Sequence, residues 1–108
     1  MTAEEDQIAM ETTLESLRSE IDVLDDQIVR LLADRTRVVQ RIVGLKHDED
    51  AVRGTDRVRR VLDRIRALAE SHGLDPTIAE RTYRTLIDAL TEMQLRELKE
   101  RGRVRADA

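Results

Sequence analysis

The sequence predicts an all-α protein of three helices, one very long, one short and one of medium length, and three observations carry that prediction. Between residues 12 and 46, apolar side chains fall at Leu14, Leu17, Ile21, Leu24, Ile28 and Leu31 in alternating steps of three and four, the spacing of a helix that buries one stripe. The composition, 39% charged and 40% hydrophobic with Tyr83 as the single aromatic residue, suits long helices, and no segment alternates as a strand would. Helix-breaking residues concentrate in two places, HDEDAVRGT at 47–55 and SHGLDP at 71–76.

Residues 1–11 are acidic, lack a sustained stripe and read as a frayed N-terminal extension. Thr12 and Glu15 have capping-box spacing, which starts the first helix at Thr12. That helix is expected to run to about His47, with Gly44 as its one glycine, and to reach roughly 50 Å at 1.5 Å per residue. A compact chain of 108 residues has a radius of gyration of only about 13 Å, so the helix must project from its own subunit. A second copy of the chain is the economical cover for its stripe, which predicts an intertwined homodimer.

The first loop is expected over 47–55, with Thr55 as N-cap of the second helix. Val58, Val61, Leu62, Ile65, Leu68 and Ala69 form that helix's apolar face, and Gly73 supplies a left-handed stop. Asp75 reads as the next N-cap and Pro76 as the first helical position, where a missing amide hydrogen costs nothing. The third helix is expected to end near Arg101, leaving 102–108 as a flexible tail and 12–101 as the folded domain. Its stripe is Ala79, Tyr83, Leu86, Ile87, Leu90 and Leu98, with Gln94 on the same face.

Several function classes are disfavoured. A net charge of −4 argues against generic nucleic-acid binding, which needs a basic face to release phosphate counterions. Without cysteine there is no disulfide framework or thiolate metal site, and no apolar run is long enough for a signal peptide or membrane span, so a soluble cytoplasmic protein is expected. His47 and His72 sit at expected helix ends without partners at metal-ligand spacing, and Ser16, Ser19 and Ser71 lie on polar faces. No metal or cofactor is implied.

The remaining anomaly is cationic. Arg35 and Lys46 are eleven residues apart, about three turns, so both lie along the stripe that should be core. Lone cations at the margin of a stripe ordinarily extend to water. Two on one face, with Gln94 on another core face and Arg57 beside the second stripe, point instead to a small dianionic ligand supplying the countercharge that buried cations need.

LRSEIDVLDDQIVRLLADRTRVVQRIVGLK, residues 17–46, resembles the first helix of the all-helical AroQ class of chorismate mutases, in the pattern LRxxID, then LLxxR, then a lysine eleven residues on. The resemblance extends over about 14–98 and includes the short second helix, the HGLD turn and a glutamine late in the third helix. It implies a homodimer that rearranges chorismate to prephenate without a cofactor. Arg35, Lys46, Arg57 and Gln94 of one subunit would line each pocket, with Arg18 entering from the partner. Arg18 lies seventeen residues before Arg35, which turns it about 100° from the Arg35 and Lys46 face and agrees with that division. By resemblance, Arg18 and Arg35 grip the two carboxylates, and Lys46 and Gln94 donate to the ether oxygen, where negative charge develops.

The sequence departs from the family's pattern at three positions that bear on recognition of the ring hydroxyl. An acid usually follows the second-helix arginine, where this chain has Val58; Gly54 replaces an aspartate and Leu90 a serine. The Arg57-Val58 pair is similar to isochorismate pyruvate-lyases and 4-amino-4-deoxychorismate mutases on the same scaffold, which stay open as alternatives. A non-enzymatic helical dimerisation module is a further alternative.

Overall fold

The computed structural model describes residues 2–107. It is all-helical: α1 spans Ala3–Val43, α2 Glu49–Arg53, α3 Thr55–Ser71 and α4 Pro76–Asp107, with no strand among the described residues. The chain divides into two compact units, residues 1–37 and residues 38–108.

The first unit is helix throughout its described length after Thr2. Helix α1 begins nine residues before the expected Thr12, and the reason is a capping box at Thr2. The Thr2 hydroxyl accepts from the Glu5 amide at 3.2 Å, while the Glu5 carboxylate accepts from the Thr2 amide at 3.2 Å. The segment read as a frayed extension is therefore helical over Ala3–Glu11, although its residues are exposed; Met1 lies outside the described residues. The stripe itself is exposed among the described residues. Leu17, Ile21, Ile28 and Leu31 are 52%, 55%, 53% and 66% exposed, and Leu14 and Leu24 are exposed as well.

In the second unit, α1 ends at Val43, short of the expected His47, because the chain tightens at Gly44 and Leu45. The Leu45 and Lys46 amides donate to the carbonyls of Ile42 and Val43 at 2.9 and 3.1 Å, turns of the 3₁₀ kind that often close a helix. The expected loop over 47–55 contains one helical turn, α2. Its N-cap Asp48 accepts from the Ala51 amide at 2.8 Å, and Gly54 ends it at φ 43, ψ 57. Gly54 is also the N-cap of α3, so Thr55 is the first helical residue instead of the cap. A left-handed backbone here suits a residue without a Cβ.

Helix α3 closes as expected. Gly73, at φ 70, donates to the Glu70 carbonyl and Leu74 to that of Ala69, the paired bonds of a Schellman stop. Asp75 then accepts from the Thr77 amide at 2.9 Å and α4 begins at Pro76. Helix α4 continues past the expected end at Arg101 to Asp107, so the described part of the 102–108 tail is helical; Ala108 lies outside the described residues.

The core of this unit lies between α3 and α4. Ile65, Ala69 and Ala79 form its buried cluster, with Val61 and Tyr83 packed against it. An ion-pair clamp lies on its margin, where Arg66 donates to Glu80 at 2.7 and 3.0 Å across the two helices and Arg84 reaches the same carboxylate at 3.0 Å.

Candidate functional site: Lys46, Gln94 and their helix

Buried polar side chains mark where a fold has given up apolar contact, and Gln94, 6% exposed, is the one buried polar residue among those described. The α4 stripe carries it inward one turn after Leu90, which is 8% exposed. Its carboxamide Oε1 accepts a hydrogen bond from Lys46 Nζ at 2.8 Å, joining residues 48 positions apart in sequence.

Lys46 stands on the turn that follows α1 and is half-buried. Burial holds its ammonium pKa below the ordinary lysine value, because a charge is poorly solvated there. An ammonium with a neutral amide as partner keeps its full charge available to an anion, whereas a carboxylate partner would cancel it.

The other expected site residues are distributed as follows. Arg18, exposed, and Arg35, half-buried, belong to the first unit. Arg57 is exposed on the first turn and a half of α3, followed by half-buried Val58, whose amide donates to the Gly54 carbonyl at 2.9 Å. An added Cβ at Gly54 would meet only ordinary contacts at 3.6 Å, so the glycine answers a backbone requirement and not a lack of room. Leu90, buried, lies one helical turn before Gln94 on the same face of α4.

The site also includes a residue that the sequence pattern places only at the end of the third helix, without a role. Arg101 reaches back to the end of α1, donating through Nη2 to the Val43 and Lys46 carbonyls at 2.8 and 3.1 Å and through Nη1 to the Gly44 carbonyl at 3.2 Å. A signal for it was present, since Arg101 follows Gln94 by seven residues, two helical turns, and shares its face.

Among the described residues no group of three or more His, Cys, Asp or Glu side chains is arranged to hold a metal ion, and no helix is long and apolar enough to cross a membrane. What this unit offers is a partly buried polar pair, cation and amide. Such a pair can donate hydrogen bonds to an oxygen that gains negative charge.

Comparison with known proteins agrees with this chemistry. The family described as chorismate mutase type II matches residues 17–95. A chorismate mutase of Methanocaldococcus jannaschii is 27% identical over 88 residues, covering 81% of this chain and 89% of that protein.

Proposed function

The chain belongs to the type II chorismate mutase family, and on that premise we propose that it converts chorismate to prephenate, with Lys46 and Gln94 as the groups that act on the breaking bond. The observation that carries this reading is the 2.8 Å contact between the Lys46 ammonium and the Gln94 carboxamide in a partly buried setting.

In this Claisen rearrangement the carbon–oxygen bond of the enolpyruvyl ether breaks as a new carbon–carbon bond forms, and the ether oxygen gains negative charge on the way. Lys46 donates to that oxygen. With Oε1 turned toward Lys46, the NH₂ end of Gln94 is the end that donates to substrate. Both interactions strengthen as charge develops, so they favour the transition state over the ground state. No nucleophile or base takes part. Holding the substrate's two carboxylates restricts a flexible arm in advance of the reaction, and this falls to Arg35 of one subunit and Arg18 of a second copy.

A homodimer follows from the same reading. An uncovered row of leucine and isoleucine along α1 supports it, since large contiguous apolar surfaces on soluble proteins mark interfaces. A second copy offers an identical row, which a two-fold axis brings into register. Gly54, Val58 and Leu90 would make the ring-hydroxyl side of the pocket less polar than is usual in the family.

The test is Lys46→Ala. Turnover of chorismate should fall roughly a hundredfold or more, the scale of losing one donor to a developing oxyanion; unchanged turnover would remove Lys46 from the chemistry.

A further inference from the structure

We propose that Arg101 is a positioning residue for Lys46, acting through the main chain at the end of α1. The proposal rests on the function proposed above, because it assigns Arg101 a share in the work of the same ammonium.

Lys46 lies outside helix and strand, on the stretch between α1 and α2. A reacting group on such a stretch is poorly fixed unless something else holds its backbone. The local turn supplies part of the restraint through the Lys46 amide, which donates to Val43 at 3.1 Å. Arg101 supplies the rest. Its guanidinium meets three carbonyls, Val43, Gly44 and Lys46, at 2.8 to 3.2 Å. A planar fork can serve several acceptors at once in a way that an ammonium does not. These carbonyls lie at or just past the C-terminus of α1, where the helix dipole also favours a cation.

The Arg101 Nε is buried without a hydrogen-bond partner among the described residues. Leaving a buried donor unmade is unfavourable, so the side chain is held in this pose by its terminal nitrogens. Gln94 and Arg101 are seven residues apart on one face of α4. The same helix face therefore grips Lys46 at both ends, Gln94 at Nζ and Arg101 at the carbonyl oxygen. Fixing both ends sets where the ammonium points, and displacement of a catalytic group by about 1 Å can cost about a hundredfold in rate.

The experiment compares the full chain with Arg101→Ala, Lys46→Ala, the double variant and Arg101→Lys. Rates of prephenate formation from chorismate are measured together with thermal unfolding and backbone hydrogen exchange. Arg101→Ala is expected to lower kcat by about 10- to 100-fold with little change in KM, and to speed exchange at the Leu45 and Lys46 amides while the α3 amides keep their protection. In the Lys46→Ala background the same substitution should cost nothing further, and Arg101→Lys should fall between.

Wild-type kcat in folded Arg101→Ala overturns the proposal, as does an equal loss in both backgrounds or unchanged exchange at Leu45 and Lys46. If Arg101→Ala does not fold, Arg101→Lys decides by the same kcat and exchange criteria. Full turnover in Lys46→Ala would instead sink the proposed function, a result separable from failure at Arg101 alone.

Discussion

Lys46 donates to Gln94 at 2.8 Å across 48 positions of sequence, and its acceptor is an amide, not a carboxylate. The pairing orients the ammonium without neutralising it. A carboxylate at position 94 would hold Lys46 as firmly but would oppose the charge that develops on a breaking ether bond.

The pH dependence of the rate follows from that ammonium. Lys46 donates only while protonated, and burial holds its pKa below the ordinary lysine value. The alkaline limb of kcat/KM should therefore fall below the pH at which an exposed lysine titrates, and it should disappear from the residual activity of Lys46→Gln. Stability moves the other way. Between its folded and unfolded pKa values the unfolded chain binds the proton better, so stability rises with pH across that window. A pH-rate profile beside a pH-stability profile tests both signs.

The α1 stripe predicts oligomeric state. Ile28→Asp places a charge where an apolar partner surface is expected, and burying it unpaired costs several kcal/mol. The variant should sediment as a monomer and lose turnover if, as proposed, each site takes Arg18 from a second copy. A wild-type protein that sediments as a monomer would exclude the dimer.

The α3–α4 core sets stability apart from chemistry. Ile65, 8% exposed, packs in the buried cluster, and Ile65→Ala should destabilise by about 2–5 kcal/mol. Denaturant unfolding reads this loss, and kcat of the folded fraction should stay near wild type.

Glu80 gives a second stability signal. Hydrogen bonds from Arg66 and Arg84 hold its carboxyl below the usual carboxylate range. Its contribution is present above the unfolded pKa and is lost as pH falls through the folded one. Glu80→Gln should therefore lower the melting temperature at neutral pH and leave it nearly unchanged in acid.

Val58 is the place to test ring recognition. Val58→Glu restores the acid that usually follows the arginine in this family, and its gain should be one hydrogen bond, about 1 kcal/mol or roughly fivefold in KM for chorismate. An unchanged KM would place the hydroxyl elsewhere.

The helices were legible because their signals are local. Ile65 and Ala79 lie on stripes of helical period, and Gly73 with Pro76 marks a break that the backbone dihedral at Gly73 bears out. Helix ends were less legible. Thr12 and Thr2 both have capping-box spacing to a glutamate, and nothing in the pattern says that Thr2 is the one used. Likewise α2 is a single turn, too short to show a period. At the site, the periodicity singled out Lys46 and Gln94 separately as polar residues on core faces. Their meeting is a tertiary fact between chain segments far apart in sequence. Arg101 shares the face of Gln94, but its partners are main-chain carbonyls, which every residue possesses, so its place on that face does not by itself reveal a role.

The most direct measurement is product identification after incubating the purified protein separately with chorismate, isochorismate and 4-amino-4-deoxychorismate. Prephenate formed from chorismate, in preference to turnover of the other two, is the predicted result. Pyruvate released from isochorismate with no prephenate from chorismate would contradict it.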